Sequence, residues 1–376
     1  MADIRDYTEF LAQANLQNLI DTLKQAGYRC IGPTAKDGAI VYEEFDTVSQ
    51  LPYGISDNQQ PGTYRLKSAE DTTGQRYFAW ANGPQNLKPL LFLPQEKIWS
   101  VNKNADGSMT FAAAPAFAQP TAVLGVRACD MAALELLDKH YLNAEGPDPL
   151  YQERRNNLLL IGVNCTHPAA TCFCVSTGDG PQVHQGVDII LSELDDGFLV
   201  KAQTQTGRSI VDQLPVQEAV SAQWDEATME LEHAAAIQVR KVPLRNLHTY
   251  LMAKLEHPRW SDVAGRCLSC GNCTSVCPTC FCHNQVEDAA LDGSRSDHYR
   301  QWDSCFSKGH SYIHGITIRE ETLSRYRQWL THKFGTWHVQ YGRSGCVGCG
   351  RCITWCPVGI DVTAELAALT AGVVSV

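Results

Sequence analysis

The sequence predicts an α+β protein in which an N-terminal α/β domain precedes a C-terminal, largely helical domain. Two observations support this division. Apolar strand-like runs alternate with amphipathic helices in the first part of the chain, and two cysteine groups of identical spacing flank a long insert in the last part. A chain of 376 residues that is 44% hydrophobic can form two or three domain cores. We expect an α/β domain over residues 1–225, a helical connector over 226–262 and the C-terminal domain over 263–376.

The first hundred residues predict a helix over Tyr7 to Ala26, followed by short strands separated by glycine and proline turns. They contain one cysteine, Cys30. A cysteine without a nearby partner is usually a buried packing residue, and we expect that role here.

A βαβ unit is predicted from Thr121 onward. The apolar run TAVLGV leads through Cys129 into an amphipathic helix, and the apolar run LLLIGV ends just before Cys165. Two fully apolar strands joined by a helix indicate a parallel pair, whose ligands gather at the carboxyl ends of the strands. Both cysteines fall at those ends, and the turn TCFC with Cys172 and Cys174 follows the second strand.

The connector is predicted from a helical pattern between Trp224 and His257, with leucines on one face at 244, 247, 251 and 255. A second helix is predicted over Ile318 to Leu330, between the two cysteine groups.

Two cysteine groups with the spacing CxxCxxCxxxCP dominate the last third of the chain. They consist of Cys267, Cys270, Cys273 and Cys277, and of Cys346, Cys349, Cys352 and Cys356. Three thiolates on such a loop can bind one 4Fe-4S cluster, while the fourth, before the proline, reaches the other cluster. We therefore expect crossed ligation, in which one cluster binds Cys267, Cys270, Cys273 and Cys356, and the other binds Cys346, Cys349, Cys352 and Cys277.

Zinc is the alternative occupant, since structural zinc sites also use CxxC pairs. The doubled pattern favours iron-sulfur clusters. The 68 residues between Cys277 and Cys346 are far more than a compact bacterial ferredoxin places between its motifs. This spacing favours an α-helical dicluster ferredoxin domain with a helical insert.

A third site is predicted at Cys129, Cys165, Cys172 and Cys174. Four thiols at converging strand ends suit a 4Fe-4S cluster or zinc. The alternative is four separate buried cysteines. A disulfide between Cys172 and Cys174 is disfavoured, because one intervening residue would strain the ring.

Cys280, Cys282 and Cys305 have no assigned role in the sequence. They are either packing residues around the second cluster or ligands completed by His283 or another group. His283, His298 and His310 are expected to be ordinary surface or packing residues.

The remaining features exclude several functions. A net charge of −10 gives no support for nucleic-acid binding. No nucleotide-binding or nucleophile motif is present, so we predict no catalytic residue. The N-terminus MADIRDYTEF has no secretory leader, and the apolar runs are too short to span a membrane. We therefore expect a cytoplasmic protein whose thiols serve as metal ligands.

The ordered stretches GVRACDMAALELLDKHYL, GVNCTHPAATCFC, LEHPRWSDVAGRCLSCGNCTSVCPTCFC, QWDSC and GCVGCGRCITWCPVGI resemble the beta subunit of cytoplasmic NiFe sulfhydrogenases. The electron-transfer subunit of anaerobic sulfite reductase is similar. The resemblance spans Thr121 to Ile360 and supports the third cluster. It implies an electron-transfer subunit between a flavin-bearing, NAD(P)H-oxidising partner and either the small and large subunits of a NiFe hydrogenase or a siroheme sulfite reductase. A stand-alone iron-sulfur flavoenzyme is the rival hypothesis.

Overall fold

The structure is a computed structural model that describes residues 3–68, 75–143, 145–243 and 246–371. Position 244 of the predicted leucine face lies outside these ranges. The strands are β1 Glu9–Ala12, β2 Arg29–Lys36, β3 Ala39–Glu44, β4 Ile55–Gln60, β5 Thr63–Ser68, β6 Gln95–Lys103, β7 Met109–Ala113, β8 Thr121–Val126, β9 Leu158–Val163, β10 Ile189–Glu193, β11 Gly197–Ala202, β12 Gln217–Glu218, β13 His283–Ala289, β14 Arg295–Trp302, β15 Tyr312–Ile313 and β16 Ile316–Thr317.

The α-helices are α1 Leu16–Gln25, α2 Lys88–Leu91, α3 Ala128–Tyr141, α4 Pro149–Asn156, α5 Cys174–Thr177, α6 Gln205–Val211, α7 Ser221–Ala236, α8 His248–Met252, α9 Arg259–Arg266, α10 Asn272–Ser275, α11 Thr322–Thr331, α12 Trp337–Tyr341, α13 Arg351–Thr354 and α14 Val362–Leu369. A π-helical turn, His332–Thr336, joins α11 to α12.

A mixed eight-stranded sheet forms the core of the N-terminal region, in the order β12-β1-β11-β10-β9-β8-β2-β3. Strands β8 and β9 are parallel, which confirms the predicted βαβ unit. Every residue of β8 is buried, because one apolar cluster that includes α3 packs on one face of the sheet and another that includes α1 packs on the other. Two covered faces explain why both strands are continuous apolar runs in the sequence.

The predicted helix over Tyr7 to Ala26 is wrong in its first half. Residues Glu9–Ala12 form β1, which pairs with β11, and the helix begins only at Leu16. The pairing partner lies almost 190 residues away in the sequence, so local periodicity did not reveal the strand.

A second, antiparallel sheet has the order β13-β14-β6-β7. It joins two strands of the N-terminal region, β6 and β7, to the hairpin between the cysteine groups. Strand β14 pairs with β6, so the insert between the cysteine groups is not wholly helical as expected. It contains the β13-β14 hairpin, followed by α11 and α12. The sheet crosses the expected domain boundaries, which remain a proposal.

A helical core surrounds the cysteine groups. Residues of α8, α9, α11 and α14, including Leu251, Trp260, Trp329 and Leu366, form a buried apolar cluster against which six cysteines pack. The connector itself is helical only in part, since α7 ends at Ala236 and α8 begins at His248. Within the described ranges, no helix is both long and apolar enough to cross a membrane.

Candidate iron-sulfur sites

The two cysteine motifs line two adjacent cavities in the helical core. The first cavity is lined by Cys267, Cys270, Cys273 and Cys356, and the second is lined by Cys277, Cys346 and Cys349. Cys352 borders both cavities, as do Trp329 and Val362. Each cavity thus brings three cysteines of one motif together with the last cysteine of the other, the grouping that crossed ligation requires.

Backbone amides support the thiol groups in both cavities. The amides of Ser269 and Gly348 donate to the sulfurs of Cys267 and Cys346, each at 3.4 Å. The Ile360 amide donates to the Cys356 sulfur at 3.3 Å. Hydrogen bonds to sulfur tune the potential of an iron-sulfur cluster, so these loops suit such a group.

Burial raises the pKa of most of these thiols. The pKa of Cys346 rises to about 12, and that of Cys273 rises well above its usual range. Without metal, both thiols are therefore protonated at neutral pH, and metal binding must displace the protons. Four thiols in an apolar cavity fit a 4Fe-4S cluster, which supplies the positive iron that stabilises thiolates.

A buried lysine approaches the second cavity. Lys333 lies in the π-helical turn and donates to the Cys277 sulfur at 3.4 Å, to the Thr279 hydroxyl at 2.7 Å and to the Gly345 carbonyl at 3.3 Å. A hydrogen bond from Cys280 and the Lys333 ammonium hold the pKa of Cys277 well below its usual range. Single π-helical turns often occur at functional sites, and here the turn brings a cation to a ligand sulfur.

The four N-terminal cysteines lie together at the carboxyl edge of the parallel strands. Cys129 is in the first turn of α3, directly after β8, and Cys165 follows β9. Cys172 and Cys174 lie close enough to each other and to Cys165 that ionising one of these thiols would raise the pKa of its neighbours, and Cys174 has the same effect on the pKa of Cys129. Burial raises the pKa of all four thiols.

Two buried guanidinium groups adjoin this N-terminal set. Arg127 donates to the carbonyls of Asn164, Phe78 and Trp80 at 2.8 to 3.0 Å, but its Nε has no hydrogen-bond partner in the described part of the chain. Burial raises the pKa of the Cys165 thiol, and the charge of Arg127 opposes part of that rise. Arg351 opposes the rise at Cys129 in the same way. Buried cations beside four thiols fit an anionic, thiolate-ligated cluster.

The N-terminal set also touches the second motif. The thiol of Cys172 donates to the Cys349 carbonyl at 3.8 Å, and the Phe173 amide donates to the Gly348 carbonyl at 2.8 Å. The second cavity therefore lies between the first cavity and the N-terminal set of cysteines.

Cys280, Cys282 and Cys305 also come together, at the base of the β13-β14 hairpin. Hydrogen bonds with Cys305 and then with His310 hold the pKa of Cys282 below its usual range. His283 and His298 are packing residues, as expected. His283 packs edge-on against Phe92, and His298 stacks on Trp99 with ring centroids 3.6 Å apart.

Sequence patterns gave no signal for Lys88, Lys333 or Arg127, since each depends on tertiary contacts that local spacing does not encode. Within the described residues, no three His, Cys, Asp or Glu side chains lie close enough to share a single metal ion, either in these cavities or elsewhere.

Comparison with known proteins agrees with this arrangement. Residues 266–360, which contain both motifs, match the family model of the 4Fe-4S dicluster domain. The cavities and this match define the chain as an iron-sulfur electron-transfer protein.

The chain is also 32% identical, over 283 residues, to a Pyrococcus furiosus protein, sulfhydrogenase 2 subunit beta. The alignment covers 73% of this chain and 79% of that relative. The chain therefore belongs to the family of sulfhydrogenase beta subunits, as the sequence predicted. No solved structure matches it.

Proposed function

We propose that this chain relays electrons between two partners. One partner is a flavin-bearing, NAD(P)H-oxidising subunit, and the other is the catalytic part of a NiFe hydrogenase, formed by its small and large subunits. The observation that carries the proposal is the row of adjacent cysteine sites in a chain of the sulfhydrogenase beta family. A 4Fe-4S cluster transfers one electron at a time, which suits a link between a flavin and a metal centre.

We assign the ligands as the cavities group them. Cys267, Cys270, Cys273 and Cys356 would hold one cluster, and Cys346, Cys349, Cys352 and Cys277 the other. Cys129, Cys165, Cys172 and Cys174 would hold a third cluster, supported by their mutual proximity and by Arg127. The helices α9, α11 and α14 around the first two cavities support a helical ferredoxin-type domain.

The first cavity provides the contact with a partner. Cys270 is exposed, and the neighbouring Leu268 is 62% exposed on the same loop. An exposed leucine beside a cysteine of the cavity supports this edge as the docking surface. By contrast, three of the four N-terminal cysteines are buried and Cys165 is partly buried, so electrons would cross between the interior and this edge of the molecule.

The name of the matched relative favours hydrogenase over anaerobic sulfite reductase as the catalytic part. All sixteen cysteines are free, which is typical of a reducing compartment and supports a cytoplasmic location.

The test is to purify the native complex anaerobically through a tag on this chain. We expect both hydrogen-dependent reduction of viologen dye and hydrogen-dependent reduction of NAD(P)⁺. The Cys277→Ser variant should keep the first activity, which needs only the catalytic subunits, and lose the second. Sulfite reduction without hydrogenase activity would support the sulfite reductase alternative, and zinc without iron in the purified chain would refute the relay.

A further inference from the structure

The β13-β14 hairpin brings distant cysteines together. His283 pairs with Trp302 at the end of the hairpin, and the Asp303 amide donates to the Cys282 carbonyl at 2.9 Å. This register places Cys282 beside the turn that carries Cys305. The base of the hairpin thus holds Cys282 and Cys305 near each other, whereas its outer half is exposed.

Three free thiols meet there. The contact of Cys282 with the Asp303 amide brings it near Cys305, two residues further on, and the three thiols are close enough to shift one another's pKa. All three are partly buried, and Cys280 and Cys282 line one cavity. Three converging thiols are one ligand short of a complete cluster site.

His310 is the candidate for the missing ligand, because it contacts Asp303, which lines the same cavity. Its Nδ1 is 2.7 Å from the Oδ2 of Asp303, and both side chains are largely buried. This contact leaves Nε2 as the nitrogen available to a metal, and the ring lies within hydrogen-bonding reach of Cys282. A carboxylate that orients a histidine through its other nitrogen is typical of metal-ligating histidines. These contacts favour a ligand role for His310 over the surface or packing role that the sequence suggested.

A buried lysine on the wall of this cavity is a second observation, one that favours an anionic occupant. Lys88 lines this cavity, is only 2% exposed and lies 4.1 Å from the Trp302 ring centroid. Its ammonium donates only to carbonyl oxygens, those of Thr274, Ser275 and Cys277. Among the residues that the structure describes, it has no carboxylate partner. A buried charge without a counter-ion is costly, and a thiolate-ligated cluster would supply the negative charge.

From this arrangement we propose that Cys280, Cys282, Cys305 and His310 ligate a further 4Fe-4S cluster. The inference goes beyond the proposed relay, because it concerns neither the motif cysteines nor the N-terminal set. Cys280 lies within hydrogen-bonding reach of Cys277, and the charge of Cys305 interacts with that of Cys273. The new site therefore adjoins ligands of both ferredoxin-type cavities and would add a branch to the relay.

The first experiment counts metal in the full chain, purified anaerobically. The double variant Cys282→Ser/Cys305→Ser should lose about four irons per chain relative to the wild type, since one cubane holds four. The control is Cys30→Ser, which removes a buried thiol in β2 and should lose none. Paramagnetic resonance of the two motif clusters must persist in the double variant, which shows that the chain has folded.

An unchanged iron content in the double variant would overturn the inference, and so would a loss of zinc in place of iron. Failure of the proposed relay can be distinguished from failure of this inference. If only the relay fails, the wild-type complex lacks hydrogen-dependent reduction of NAD(P)⁺, while the double variant still contains about four fewer irons than the wild type.

The second experiment tests the histidine without emptying the site. His310→Cys should retain the iron, shift the midpoint potential of one cluster to more negative values and abolish an imidazole nitrogen coupling in pulsed paramagnetic resonance. Histidine ligands raise cluster potentials relative to thiolates, which sets the direction of the shift. His314→Cys, at an exposed position four residues away, should change neither. Absence of a nitrogen coupling in the wild type would exclude His310 as a ligand.

Discussion

The two ferredoxin-type motifs share one spacing but occupy different surroundings. In the first loop, Leu268 and Cys270 are exposed, and Ser269 adopts a φ of 51°. In the second loop, Gly348 stands at the position of Ser269, and the Phe173 amide donates to its carbonyl. The second loop is therefore covered by the N-terminal turn that carries Cys172 and Cys174, whereas the first faces outward.

The residues between the cysteines differ accordingly. Asn272, in the first motif, is exposed, while Arg351 at the matching position is fully buried and forms a 2.8 Å ion pair with Asp130. Spacing thus specifies which cysteines can share a cluster, and the intervening residues specify whether the loop docks on another part of the molecule. The first loop is open to solvent, and the second is enclosed by other parts of the chain.

Crossed ligation gives the largest expected effect. The double variant Cys267→Ser/Cys356→Ser should lose about four irons per chain, because both cysteines line one cavity. The double variant Cys267→Ser/Cys277→Ser should lose about eight, because it damages both cavities. Iron assays on the anaerobically purified chain measure the difference. Uncrossed ligation would reverse the two results.

Arg351→Met should destabilise the chain by about 3–5 kcal/mol, because it leaves the Asp130 carboxylate buried without a counter-charge. The guanidinium also donates to the Gly83 carbonyl at 3.0 Å, so a contact with the N-terminal region is lost as well. Denaturant unfolding under anaerobic conditions, followed by tryptophan fluorescence, measures the change.

The control for Arg351 is its counterpart in the other motif. Asn272→Ala should change the free energy of unfolding by no more than about 0.5 kcal/mol, as is usual for an exposed site. The double variant Asp130→Asn/Arg351→Met should recover part of the loss. Equal effects of the two single substitutions would contradict the distinction between a docked and an open loop.

Exchanging Gly348 and Ser269, which occupy matching positions in the two motifs, tests whether the second loop is packed more closely than the first. Gly348→Ser should cost about 3 kcal/mol, because a Cβ there would lie 2.6 Å from the backbone nitrogen of Cys174, at a φ of 65°. Ser269→Gly should change stability by less than about 1 kcal/mol, since it relieves a left-handed conformation but loses the hydrogen bond to Thr322. The same unfolding assay serves both variants, and a tolerated Gly348→Ser would show that the N-terminal turn does not hold the second loop closely.

The comparison also explains what the sequence could predict. The grouping of the motif cysteines follows from spacing, and the parallel β8-β9 pair follows from two uniformly apolar runs. Both features are local, so they can be recognised along the chain. The family resemblance, which rests on the order of the motifs, was likewise confirmed by the 32% identical relative.

Features that depend on distant pairing were missed. Strand β13 is almost entirely exposed. It belongs to a sheet because its neighbour β14 pairs with β6, which lies nearly 200 residues earlier in the sequence. The burial of Lys88 and Lys333 is equally invisible, since a lysine in a helical segment usually faces solvent. The insert was therefore expected to be wholly helical, and the cations beside the cysteines were not expected.

Lys333 gives the two motif cavities different electrostatic surroundings. Its ammonium donates to the Cys277 sulfur, whereas no lysine or arginine is among the described residues that line the first cavity. A cation stabilises the more negative, reduced state of a cluster. Lys333→Met should therefore make the midpoint potential of the second-cavity cluster more negative, by on the order of 100 mV for a buried unit charge at this range.

The measurement is a redox titration followed by paramagnetic resonance, in which the cluster left in the Cys356→Ser variant identifies the signal of the second cavity. The exposed Lys139, on α3, provides the control, and Lys139→Met should leave both potentials unchanged. An equal shift of both clusters in Lys333→Met would mean that the lysine acts through the overall charge and not through its contact with Cys277. A shift confined to the second cavity would show that one buried side chain makes two clusters on identical motifs unequal.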